Sequence, residues 1–144
     1  MIGPKSLIEK LELQPHPEGG WYRETWRGEN GPDGRASETA IHFLLEQGQA
    51  SHWHRVDATE IWCWHAGSAL SLSAAPGDDG PVTSVSLGPD VMAGELPHHV
   101  IAPGAWQTAR ADRDWALVSC IVSPGFEFSG FTLAPPGWAP GQPS

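Results

Sequence analysis

Residues 48–67, GQASHWHRVDATEIWCWHAG, set three histidines, two acids and three tryptophans between two glycines. His52 and His54 are two apart, so on an extended strand both side chains point the same way. Glu60 follows in a stretch rich in β-favouring residues. A His–x–His pair with a downstream Glu is one way to assemble a first-row metal site inside a β-barrel. The same residues also line polar pockets that hold no metal. Strand parity sorts the rest of the run. If His54 faces inward, so do His52 and Val56; if Glu60 faces inward, so do Trp62 and Trp64, leaving Ile61, Cys63 and His65 outside. A β-bulge anywhere in the run would break this parity.

Outward from this stretch, the chain reads as short strands broken by turns. Residues 4–12 carry Leu7, Ile8 and Leu11 at helical spacing behind Pro4, which predicts a short amphipathic helix. Strands are expected near 20–27, 38–46, 50–56, 59–65, 68–75, 82–88, 98–102, 105–109, 115–123 and 126–133, with a loop over 28–37. Many short strands at near-regular spacing indicate an all-β sandwich or barrel. PPGWAPGQPS, residues 135–144, reads as a loosely held tail. Without internal repeats or a change of composition, the 144 residues form one domain with a core over about 5–134.

Composition narrows the function classes. Eight Lys and Arg against 17 Asp and Glu give a net charge of −9. Nucleic acids and anionic membranes both call for a basic footprint, which this chain lacks. The longest apolar runs, such as 115–122, are too short for a bilayer. Lys5, Glu9 and Lys10 interrupt the N-terminal stretch, so no signal peptide is expected. Two cysteines, Cys63 and Cys120, do not make a disulfide framework, and a reduced cytoplasmic protein is the expectation. Eight tryptophans suit an aromatic-lined cavity, a large interface or a barrel core.

The spacing Gly48, five residues, His54, Val56, three residues, Glu60, six residues, Gly67 resembles the first motif of the cupin superfamily, with Val56 in place of that motif's second histidine. A rival register pairs His52 with His54 but departs from the spacing on both sides. The second cupin motif resembles residues 102–107, APGAWQ, where Gln107 stands at the histidine position. HPEGGWYRETWR (16–27), TAIHFLL (39–45), HRVDATEIW (54–62) and SPGFEFSGFTL (123–133) resemble the signature segments of a group of small single-domain cupins of uncharacterised function. That resemblance spans about residues 5–134. It implies a double-stranded β-helix, the jelly-roll barrel, behind the short N-terminal helix, similar in fold to the deoxysugar epimerases. It also implies a homodimer.

Three readings of the chemistry follow. In the first, the barrel binds a small polar metabolite, sugar-like or nucleotide-sugar-like, and works isomerase or epimerase chemistry. His54 is then the base, with Glu60 or Asp57 orienting it. The epimerases similar in fold use a histidine base and a tyrosine acid, and Tyr22 is the one tyrosine here. In the second, His54 and Glu60, with His52 a weaker third, hold Fe, Mn, Ni or Zn; two imidazole positions of the family pattern are missing from such a set. In the third, the chain binds without catalysis. The catalytic candidates are therefore His54 and Glu60. The ligand-contact candidates are Arg23, Trp62, Trp64, Gln107, Phe128 and Tyr22. Within HPEGG, either Glu18 or Arg23 is placed to touch a ligand, and Arg23 is favoured.

Overall fold

The computed structural model describes residues 2–142. A helix, α1 (Pro4–Lys10), precedes eleven strands. They are β1 (Gln14–Pro15), β2 (Trp21–Arg27), β3 (Thr39–Leu45), β4 (Ala50–Val56), β5 (Thr59–Gly67), β6 (Leu70–Ala75), β7 (Thr83–Leu87), β8 (His98–Ile101), β9 (Trp106–Arg110), β10 (Ala116–Ser123) and β11 (Phe131–Leu133). One sheet runs β1-β2-β3-β10-β5-β8 and the other β11-β4-β9-β6-β7. All the strand pairings are antiparallel, and the two sheets form the jelly-roll barrel that the resemblance implies.

The inward faces follow the alternation of the sequence. On β10, ALVSCIVS, Ala116, Val118, Cys120 and Val122 are buried while the residues between them are only half-buried or exposed. These β-branched and small residues suit a pleated strand with one face inward. The main core gathers Phe43, Leu45, Trp62, Leu70, Leu72, Leu87 and Val118, all no more than 1% exposed. It lies toward one end of the barrel. The other end is open.

Two expectations change. Residues 126–133 do not form one strand: a 3-10 turn, Phe128–Gly130, precedes β11. The tail is not loose where it is described. Ala134 N–H donates to the Trp53 carbonyl at 2.9 Å, and Gly141 N–H to that of Asp78 at 2.7 Å. Trp138 packs on Trp106 with ring centroids 4.6 Å apart. Together with Trp53, Ala75 and Ala134 these rings make a second core. Tryptophans on the outer face of the five-stranded sheet need cover, and the tail supplies it. Among the described residues, no helix is long and apolar enough to cross a membrane.

Candidate functional site

The open end of the barrel encloses a cavity of about 380 Å³. Its floor is charged. β4 brings His54, β5 brings Glu60, and the turn before β2 brings Glu18; all three are buried, at 2%, 7% and 7% exposure. A β-bulge builds this floor. The pairing of β4 with β9 shifts between Ser51 and His54, so Ser51 and His54 both face inward although they are three positions apart. The parity that would put His52 beside His54 is thereby broken. His52 turns away from the cavity and its Nε2 lies 2.9 Å from the Pro135 carbonyl. It is not placed to share a metal with His54.

The backbone N–H of His52, freed by the bulge, donates to the Glu18 carbonyl at 2.7 Å. The same turn closes on itself, with His16 N–H donating to Gly20 O and Gly19 N–H to His16 O. Gly19 has φ +106°, and a Cβ there would collide with the Ala50 carbonyl. Only glycine allows both that backbone and that approach. The HPEGG segment is thus a clamp that sets Glu18 against His54, whose Nε2 is 3.0 Å from Glu18 Oε2. His54 Nδ1 donates to the His52 carbonyl at 2.8 Å. Both ring nitrogens are therefore engaged.

Burial by itself would lower the His54 pKa. The Glu18 carboxylate opposes it by charge and hydrogen bond, Glu60 and the His52 carbonyl add to this, and the imidazole is pushed up to about 9. Glu60 goes the other way for a carboxyl. Burial raises it to about 7, against the pull of His54 and with the Glu18 charge adding to the rise. Glu60 Oε1 accepts from Gln107 Nε2 at 3.0 Å, and Gln107 Oε1 accepts from Trp62 Nε1 at 2.7 Å. Burial keeps the neighbouring Cys120 thiol well above its ordinary pKa, and that thiol also bonds Glu60. His16 is lowered by burial, partly offset by Glu18; its Nδ1 accepts from the Glu18 N–H at 3.1 Å.

The wall is aromatic, but it is built of phenylalanine and tyrosine. Tyr22, Phe126, Phe128 and Phe131 line the cavity with Ile41, Val56 and Val122. Phe131 stands 5.5 Å from the His54 ring. Glu24, Arg27 and Glu127 complete the lining. The segment carrying Phe126–Phe128 is tied down by guanidiniums: Arg27 Nη2 donates to Phe126 O at 3.2 Å, and Arg35 Nε to Gly125 O at 2.7 Å. Arg35 also grips Asp57 through both carboxylate oxygens, at 2.8 and 3.1 Å. Asp57 is therefore not the orienting partner of His54.

The expected residues thus divide. His54, Glu60, Tyr22 and Phe128 line one cavity. Gln107 and Trp62 lie directly behind it as a hydrogen-bonded relay, and Trp64 is deeper, its Nε1 donating to Ser68 O. These three do not line the cavity. Arg23 points out and pairs with Glu12. It is on the face of β2 opposite Tyr22 and Glu24, so strand alternation forbids the contact assigned to it. His16, Cys120, Phe126 and Phe131 were not singled out from the sequence as site residues. Glu18 was weighed and passed over; its place beside two glycines was the available signal.

A metal site of the cupin type finds poor donors here. Val56 faces the cavity where the family pattern has a histidine, Gln107 has both ends of its amide committed, and neither His54 nitrogen is free. Among the described residues, no three His, Cys, Asp or Glu side chains come together to hold an ion. This set does not fit a resident first-row metal.

The family model described as Cupin superfamily (DUF985) matches residues 5–134. The chain belongs to this cupin family. Its fold is similar to that of protein SO0799 from Shewanella oneidensis, at 39% identity over 93% of this chain and 85% of that one, with a TM-score of 0.87. A hypothetical protein from Leishmania major is 32% identical over 92% of this chain and 88% of its own, with a TM-score of 0.83. Oxalate decarboxylase from Bacillus subtilis shares the barrel at 14% identity and a TM-score of 0.63, covering 83% of this chain and 29% of that chain. At that identity the likeness concerns the fold alone. No curated protein matches the chain.

Proposed function

We propose that this cupin binds a compact, polar, sugar-type metabolite at the open end of its barrel and moves a proton on it, as an isomerase or epimerase does. One observation carries the reading: a buried Glu18–His54–Glu60 cluster faces a cavity of about 380 Å³ whose wall is aromatic. Carboxylates accept from hydroxyls, and ring faces pack against the C–H face of a sugar. The proton acceptor in this reading is Glu60 rather than His54. His54 has no free nitrogen, and its charge holds Glu18 in place. Glu60, with a pKa near 7, populates both protonation states at neutral pH.

Exchange of substrate C–H hydrogens for solvent deuterium, followed by NMR across a panel of aldoses and ketoses, tests this. Exchange should occur in the wild type and vanish in Glu60→Gln while the fold persists. Ligand-dependent rises in Tm without exchange would instead establish a non-catalytic binder. The solved oxalate decarboxylase structures include work on that enzyme's Mn(II) centres. A metalloenzyme reading here requires about one ion per chain in protein purified without chelators. The donor set predicts far less.

We also propose that the chain forms a homodimer. On the outer face of the six-stranded sheet, Trp26, Ala40, Ile121, Ile61 and Val100 fall in one cross-strand row. Trp26 and Val100 are 58% and 51% exposed. Sedimentation velocity should give twice the chain mass, and Val100→Glu should halve it.

A further inference from the structure

We infer that the ligand of the cavity carries a positive charge, as an amine-bearing polyol does, and is not a phosphorylated or nucleotide-linked sugar. The inference rests on reading this cavity as a small-molecule site. Its support is the distribution of charge. Four carboxyl groups line the cavity: Glu18, Glu24, Glu60 and Glu127. The cations there are His54 and Arg27, and each is paired with one of those carboxylates. His54 holds Glu18 and the His52 carbonyl. Arg27 holds Glu24 through Nη2 at 2.7 Å and Nε at 3.3 Å, and its Nη2 also reaches Phe126 O. Each cation lining the cavity is thus paired with a carboxylate of the same lining, Glu18 or Glu24, and Glu60 and Glu127 are left without one.

An anionic ligand entering here would lose its hydration and meet uncompensated carboxylates. An ammonium meets the opposite environment. Glu60 on the floor and Glu127 at the mouth have no cationic side chain bonded to them. The phenylalanine wall offers ring faces, which attract a cation through their quadrupole. Phe126, Phe128 and Phe131 stand edge to face with one another, with centroids 4.9–6.0 Å apart. Carboxylates below and aromatic faces beside are the two features that recognise an amine in a partly desolvated site.

Calorimetric titration with three matched probes tests the inference: glucosamine, glucose and glucose 6-phosphate. Glucosamine should bind roughly tenfold or more tightly than glucose, the size expected of a charged hydrogen bond plus a cation–π contact, and glucose 6-phosphate should bind weakest. In a Glu60→Gln, Glu127→Gln double variant shown to be folded by its thermal melt, glucosamine should fall to the affinity of glucose. Equal binding of glucose and glucosamine, or tighter binding of the phosphate, would overturn the inference and leave the small-molecule reading standing. A glucosamine preference that survives the double substitution would overturn it too. Failure of all three probes to bind at millimolar concentration would sink both.

Discussion

The two ends of the barrel are made by the same strands and have opposite contents. Along β5, Glu60 faces the cavity and Trp62, two residues on, faces the core. Along β3, Thr39 and Ile41 line the cavity while Phe43 and Leu45 fill the core. Along β10, Val122 is on the cavity side and Val118 on the packed side. A jelly-roll strand thus crosses from a solvent-filled to a solid interior within two or three residues, without leaving its sheet. What separates the ends is a polar partition. Gln107 takes the Trp62 indole N–H on one side and gives its own N–H to Glu60 on the other. Apolar packing is concentrated at one end and buried charge at the other.

Removing the plug is the harshest way to break that contrast. Trp62→Ala should cost about 3–5 kcal/mol in urea unfolding, as large aromatic truncations in cores do, and it also orphans Gln107 Oε1. A cost below about 1 kcal/mol would show that the packed end does not hold the barrel. Glu18→Gln comes next. It strips the buried imidazolium of its nearest counter-charge, and His54 should answer by shedding its proton, so the loss is limited to about 3 kcal/mol near pH 6. Imidazole NMR titration should show the His54 pKa falling from about 9.

Glu60→Gln sharpens the contrast through pH. Both His54 and Glu60 bind protons more tightly in the folded state than in the unfolded one, so stability should decline as pH rises. The Glu60 share is lost between about 4.5 and 7, and the His54 share between 6.5 and about 9. The substitution should flatten the acid side of this decline. At pH 8 it should make the variant more stable than the wild type by about 1–2 kcal/mol, since part of the relieved burial penalty is offset by lost attraction to His54. Thermal melts from pH 5 to 9 would show it. Phe128→Ala has the smallest expected effect on folding. Phe128 is 56% exposed, so stability should stay within about 0.5 kcal/mol while affinity for a cavity ligand drops.

The packed end was the more legible of the two. Apolar runs such as ALVSCIVS and TAIHFLL locate β10 and β3 within a residue. The motif spacing leads to His54 and Glu60 because they sit on such strands. The open end depends on features that carry no period. The bulge after Ser51 costs one residue of register and moves His52 outside. Glu18 and His16 reach the floor from a turn more than thirty residues upstream of His54, which no local pattern connects to it. Arg23 was preferred over Glu18, and a strand's alternation sent it outward. The tryptophan count left a cavity wall, an interface and a core open; Trp62 and Trp64 went to the core, and Trp53, Trp106 and Trp138 to the tail-covered face.

His52 links regions that are otherwise separate. Its carbonyl orients the His54 ring, its amide anchors the Glu18 turn, and its own imidazole holds the chain at Pro135. Trimming the polypeptide just past Ala134 would remove that grip and uncover the Trp106 surface, and the disturbance would register at a histidine sealed inside the barrel.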